Sequence, residues 1–198
     1  MNVLIIYAHP NPASFNAALR EAAVGALSRA GHSILLSDLY AQRFNPVLSL
    51  RELEGDLHLL KGEMDKVSRA DLLLFQFPNW WYGMPAIMKG WIDRVFAPGF
   101  AYDETHSFET GLLKGKRAML VVSTQTRKAY YDAVPQRNLL RVLEPLHYGV
   151  LAFCGLEVLP PFIVYGPEEM SDDERYEALE DYRKYLGRLE KLKPLRFY

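Results

Sequence analysis

Residues able to do chemistry gather in three short segments of the chain. The first reads His9-Pro10-Asn11-Pro12-Ala13-Ser14-Phe15-Asn16 and sets short hydroxyl and amide side chains beside free backbone N–H groups where a helical pattern begins. The helix dipole and those unpaired amides suit an anion, a phosphate above all, without any lysine. The segment is neither GxGxxG nor GxxxxGK[ST], which excludes the standard dinucleotide-binding turn and the ATP-binding P-loop. A plain Ser or Asn cap, with His9 an ordinary polar loop residue, is the alternative. The second segment, Phe77-Pro78-Asn79-Trp80-Trp81-Tyr82-Gly83-Met84-Pro85, puts consecutive large aromatics where a turn normally carries small polar residues. A planar heteroaromatic ring stacked on Trp81 or Tyr82, its edge met by loop amides, would satisfy them; packing into the core or a subunit contact is the competing explanation. The third, Ser123-Thr124-Gln125-Thr126-Arg127-Lys128, offers hydroxyls and an amide followed by two cations.

Alternating strands and helices must position these segments. Val3-Leu4-Ile5-Ile6-Tyr7-Ala8 is apolar without alternation, the mark of a parallel strand buried on both faces. Phe15, Leu19, Ala22, Ala26 and Ala30 then recur at the helical period as far as Gly31. Further strands are predicted at 34–36, 71–77, 118–122 and 158–164. Loop, turn and a helix near 62–69 fill the long crossover, and more helices are predicted at 85–96, at 139–153 (with Pro145 starting or kinking it) and after Ser171, whose Glu174 completes a capping box. The order predicts an α/β, doubly wound, five-stranded parallel sheet of the flavodoxin-like order 2-1-3-4-5, with helices on both faces and one domain over 1–198. In such sheets ligands bind beyond the carboxyl ends of the strands, at the switch point between the first and third, where the three segments fall.

Composition narrows the partners. Net charge is −1, from 23 basic and 24 acidic residues, so nothing is built to hold a nucleic-acid backbone, and the acidic surface of a small one-electron carrier is missing. Cys154 is the single cysteine. It excludes an internal disulfide, and with no CxxC or HxxxH spacing no metal site is expected. The run 3–8 is too short for a signal peptide and no stretch approaches a membrane span, so the expectation is a cytoplasmic protein without one.

Beyond these readings, Phe75-Gln76-Phe77-Pro78, the run Trp81-Tyr82-Gly83-Met84-Pro85-Ala86-Ile87-Met88-Lys89-Gly90-Trp91-Ile92-Asp93-Arg94-Val95-Phe96, and Phe100-Ala101-Tyr102 resemble the central motif of the NAD(P)H quinone reductase family, the DT-diaphorase-like flavodoxin-fold oxidoreductases. The likeness extends to His9 with Ser14-Phe15-Asn16, to Ser37-Asp38-Leu39-Tyr40, to Phe44-Asn45-Pro46 and to Phe153-Cys154-Gly155. Without the C-terminal extension of the mammalian enzymes, the chain is similar to the shorter bacterial members. The resemblance implies a bound flavin, FAD or FMN with FAD favoured, NAD(P)H as co-substrate, and a homodimer. It also implies two-electron, ping-pong hydride transfer to quinones or to related electrophilic nitro or azo aromatics.

Carried over residue by residue, the resemblance assigns His9, Ser14, Phe15 and Asn16 to the flavin's phosphate-bearing tail. Pro78, Asn79, Trp80, Trp81 and Tyr82 line one edge of the isoalloxazine. Tyr102 reaches the neighbouring subunit's pocket, a plain loop tyrosine being the alternative. Ser123, Thr124, Gln125 and Thr126 stand where the family has Thr-Thr-Gly-Gly, so the loop takes another path or the ring sits differently. Tyr130 aligns with the catalytic tyrosine, with Tyr131 one residue on as competitor, and Gln136 falls at the place of the partner histidine. Arg127 and Lys128 are expected at the pocket mouth, facing the phosphates of NADPH. A rival from a different class is a flavin-binding regulatory subunit of a membrane transport system, of the potassium-efflux ancillary type, with little turnover. A phospho-acceptor receiver domain shares the strand order but needs acidic strand ends, and here they read Ala8-His9 and Phe77-Pro78.

Overall fold

The computed structural model describes residues 1–197. Its strands are β1 (Asn2–Tyr7), β2 (Ser33–Asp38), β3 (Leu72–Pro78), β4 (Arg117–Thr124), β5 (Glu157–Val158) and β6 (Phe162–Tyr165). Its α-helices are α1 (Phe15–Arg29), α2 (Leu50–Leu53), α3 (Lys61–Arg69), α4 (Ala86–Val95), α5 (Lys128–Asp132), α6 (Leu139–Leu146) and α7 (Asp172–Leu186). All strand pairs are parallel, in the order β2-β1-β3-β4-β5, with β6 also on β4. The apolar runs that show no alternation in sequence do alternate in space. Leu4, Ile6 and Ala8 of the first run join one core with Leu73, Phe75, Leu120 and Trp91. Val3, Ile5 and Tyr7 face the opposite core with Leu19, Ala23, Tyr182 and Leu186. Two hydrophobic layers, one on each side of the sheet, require every residue of a central strand to be apolar.

The sheet has six strands rather than the five expected. Where one strand over 158–164 was predicted, β5 and β6 pair separately with β4 across Leu159-Pro160-Pro161. Proline cannot donate to a ladder, so the prolines break the strand. Leu159 N still donates to Ala118 O at 2.8 Å. Pro145 lies inside α6, and the helix continues into a wider π-type turn over His147–Ala152; a missing N–H in the ladder is one of the recognised causes of such a distortion.

The crossover also holds a helix that the sequence reading passed over. Ser49 and Glu52 form a capping box at the start of α2. Glu52 is buried against Arg94 of α4, whose Nε donates to Oε1 at 3.0 Å. Close by, Gly90 turns its bare Cα toward Pro46: a Cβ there would stand 2.2 Å from the Pro46 carbonyl oxygen. No helix among the described residues is long and apolar enough to cross a membrane.

Candidate active site

The carboxyl ends of β1, β3 and β4 open into a cavity of about 1010 Å³, at the upper end of the range of small-molecule sites. Its first wall is the segment between β1 and α1. Ser14 caps α1, its Oγ accepting from Ala17 N at 3.2 Å, and Asn11 Oδ1 accepts from Ala13 N at 2.9 Å. His9 Nδ1 accepts from Asn11 N at 3.1 Å and stands 3.3 Å from Asn11 O. Partial burial pushes His9 below its ordinary pKa.

Below this wall, three elements are tied by amide side chains. Asn16 Nδ2 of α1 donates to Ser123 Oγ of β4 at 2.6 Å, and Gln76 Nε2 of β3 donates to Asn16 O. The buried oxygens Asn16 Oδ1, Gln76 Oε1 and Asn79 Oδ1 have no hydrogen-bond partner among the described residues. A buried acceptor without a donor costs about 1–3 kcal/mol. Asn16 and Asn79 both line the cavity, so a bound molecule with N–H or O–H groups relieves that cost.

The second wall is a tight turn. Trp80 N donates to Gly83 O at 2.9 Å and Gly83 N returns a bond to Trp80 O at 3.0 Å. Between them Trp81 and Tyr82 hold φ values of 52° and 58°. Positive φ at both central residues is the type I′ arrangement, which normally takes Asn-Gly. Large aromatics in that conformation cost about 1–3 kcal/mol each and are kept where surrounding structure or function requires them. Trp81 is fully exposed and Tyr82 half so. A flat aromatic surface is therefore held out at the cavity edge by a backbone that resists the residues it carries.

Opposite this turn stands α5. Tyr82 Oη lies 3.2 Å from Tyr130 Oη, closing a bridge between the two walls, and hydrogen bonding to Tyr130 raises the Tyr82 pKa. Tyr131 is buried, its ring edge-on to Tyr82 and Tyr130, yet both Tyr130 and Tyr131 contribute to the cavity wall. The segment after β4 keeps its own course: Thr124 Oγ1 donates to Thr126 O at 2.7 Å, and Arg127 immediately precedes α5. Arg127 is spoken for, since its NH1 donates to Glu174 Oε1 at 3.0 Å and its Nε stands 3.5 Å from Glu169 Oε2. Lys128 pairs with Asp132 at 2.5 Å. Both cations expected to face the phosphates of NADPH are thus already ion-paired within the chain, and neither lines the cavity.

His9, Ser14, Phe15, Asn16, Pro78, Asn79, Trp80, Trp81, Tyr82, Ser123, Thr124, Gln125, Thr126 and Tyr130 all come together on this cavity. Gln136 does not line it but sits exposed in the short turn Pro135–Arg137. Tyr102 is also elsewhere in the chain, its ring 5.4 Å from Phe153. Sequence reading missed a further wall, Pro167, Glu168 and Arg175, which follows β6. The strand predicted to end at 164 does end at Tyr165, but the switch-point rule singled out only the loops after β1, β3 and β4.

Comparison with known proteins follows the same lines. Residues 1–186 match the family described as having a flavodoxin-like fold. The chain is 38% identical over 216 aligned positions to the ribosyldihydronicotinamide dehydrogenase [quinone] of Pongo abelii, covering 98% of this chain and 94% of that one. It is 37% identical to NAD(P)H dehydrogenase [quinone] 1 of Cavia porcellus, covering 98% and 79%. Among solved structures, a putative quinone reductase from Klebsiella pneumoniae superposes with a TM-score of 0.92 at 33% identity, covering 100% of this chain and 88% of that one. General stress protein 14 of Treponema denticola, solved in complex with FMN, gives 0.72 at 25% identity, covering 96% and 99%. Strand order, cavity and relatives agree: the chain belongs to the flavodoxin-like family that includes the NAD(P)H and ribosyldihydronicotinamide quinone dehydrogenases.

Proposed function

We propose that the chain is a flavin-dependent NAD(P)H oxidoreductase that reduces quinones by two electrons in a ping-pong cycle. The observation that carries this reading is the pair of partnerless buried acceptors, Asn16 Oδ1 and Asn79 Oδ1, on a cavity edged by the outward-held Trp81. That combination suits a ring with polar edges and apolar faces, and a phosphate-bearing tail suits the Ser14-capped start of α1. A flavin held there supplies the redox chemistry between nicotinamide and quinone.

The chain's own residues orient the reactants. Trp80, Trp81 and Tyr82 offer faces for stacking and exclude water from the ring they cover. Tyr130, at the edge of the same cavity, donates its O–H to a quinone oxygen as charge develops there. With one cavity for both reactants, the nicotinamide leaves before the acceptor enters. FAD is the form the resemblance favours, and the FMN of the Treponema denticola protein is its alternative. A homodimer, with Tyr102 set toward the partner's cavity, completes the reading. The regulatory-subunit alternative draws no support from relatives that are named as dehydrogenases.

The test is spectroscopic. Purified protein is expected to carry, or take up from an added FAD or FMN solution, a chromophore that NADH or NADPH bleaches without oxygen and 2-methyl-1,4-naphthoquinone restores. Chromatography of the released chromophore separates FAD from FMN, and light scattering reports the dimer. Protein that binds neither flavin ends the proposal.

A further inference from the structure

The cations around the Tyr130 end of the cavity are almost all neutralised. Arg127 is held by Glu169 and Glu174, Lys128 by Asp132, and Arg175 by Asp172. Arg137 differs. Among the described residues no carboxylate lies within ion-pairing distance of its side chain, and its guanidinium carbon sits 4.3 Å from the centroid of the Tyr130 ring. Tyr130 itself is on the cavity wall, joined to Tyr82 across the mouth. Arg137 does not itself line the cavity, but the cation–π contact holds its guanidinium against a tyrosine that does, and among the described residues no acid takes up its N–H donors.

We infer that Arg137 is a specificity-determining residue that favours acceptors bearing an anionic substituent, a carboxylate or sulfonate on or next to the quinone ring. The inference rests on the quinone-reductase reading and narrows its substrate class. A guanidinium is planar, always charged and able to meet a carboxylate or sulfonate with two parallel hydrogen bonds. An acceptor ring against Tyr130 brings a substituent one or two bonds from the ring within reach of the cation stacked on that tyrosine. The phosphates of a dinucleotide lie many bonds from the nicotinamide and need a cation farther from the reacting ring. Glu168, the acid on the cavity wall, makes no ion pair with Arg137.

Two acceptors that differ in one charge test this: 1,4-naphthoquinone-2-sulfonate and 2-methyl-1,4-naphthoquinone. Their intrinsic reactivities differ, but that difference cancels when the anionic-to-neutral ratio of kcat/KM is compared between wild type and Arg137→Gln. The ratio is expected to fall about fivefold in Arg137→Gln, the size of one half-screened charge contact, and to change less than twofold in Arg137→Lys. Raising the salt should shrink the wild-type preference and leave that of Arg137→Gln nearly flat. A second readout needs no turnover. Quenching of tryptophan fluorescence by naphthalene-2-sulfonate should give a Kd about fivefold weaker in Arg137→Gln. Equal ratios and equal Kd values in wild type and Arg137→Gln overturn the inference. So does a changed NADPH-to-NADH preference with an unchanged acceptor ratio, which would assign the charge to the dinucleotide. If the wild type reduces neither quinone, the functional reading fails, and the quenching titration still judges Arg137 as an anion contact.

Discussion

Trp81→Asn separates the strain in the 80–83 turn from the use to which it is put. Trp81 is fully exposed at a φ of 52°, so in the isolated chain the substitution removes no buried apolar surface. The left-handed backbone costs an ordinary residue about 1–2 kcal/mol, and asparagine tolerates that region through local hydrogen bonding. About half of that cost, roughly 0.5–1 kcal/mol, should be recovered. For a protein of this size 1 kcal/mol moves the melting temperature by about 2–4 °C, so flavin-free Trp81→Asn should melt about 1–4 °C above wild type. Flavin affinity should move the other way. Loss of an aromatic contact worth about 0.5–1.5 kcal/mol weakens binding by roughly twofold to twelvefold. Circular dichroism melts of both flavin-free proteins at matched concentration, with flavin titrations followed by fluorescence, measure the two effects. A flavin-free variant that melts several degrees lower would mean that Trp81 is covered in solution by something other than its own chain, and the strain argument would fall.

Three further outcomes follow from buried groups. Arg94→Leu should cost about 3–5 kcal/mol in urea unfolding because it strands Glu52, while Arg94→Leu with Glu52→Leu recovers much of the loss. The Arg94 guanidinium holds Glu52 at about 2 against an ordinary 4.5; that stabilisation is present above pH 4.5 and should drain away between pH 4.5 and 2. Burial pushes His147 down to about 4 from an ordinary 6.5, so between those values the unfolded chain binds a proton that the folded chain refuses. Stability should fall as pH drops through that window, with a limiting slope of about 1.4 kcal/mol per pH unit, and His147→Leu should flatten it. Cys154 is buried, its thiol pushed up to about 12, so iodoacetamide at pH 8 should label it in urea and leave it untouched in the native protein.

Much of the architecture was legible because each run of apolar residues had a single structural solution. Val3 to Ala8 reads as a strand covered on both faces, and two separate cores do cover it. The aromatic run at 80–82 was conspicuous because turns so seldom carry such residues, though its left-handed backbone is invisible in sequence. What stayed hidden depended on tertiary pairing. Ser49 and Glu52 spell a capping box, but that the same Glu52 also anchors Arg94, 42 positions on, follows only from the packing of α2 on α4. Gln136 drew attention by alignment, whereas the side chain stacked on Tyr130 belongs to Arg137, its neighbour. In a short turn one residue of register changes which side chain faces the site. The wall after β6 escaped because the switch-point rule looks only at the loops after β1, β3 and β4, although the strand's end at Tyr165 was legible.

Those prolines have a consequence for how the molecule meets its own kind. The β5–β6 side is an outer margin of the sheet, and a long straight margin invites a strand from another chain to add on, the first step of amyloid-like growth. Here the margin comes as two short pieces, and at Pro160 and Pro161 there is no N–H to offer. Tyr185 Oη donates to Pro160 O at 2.8 Å, so one of the carbonyls left free by the break is already taken. An intruding strand would find two short pieces in place of a continuous ladder, with no donor at the two prolines between them. Backbone polymerisation of the kind to which long β-rich margins are prone is thereby disfavoured on this side of the sheet.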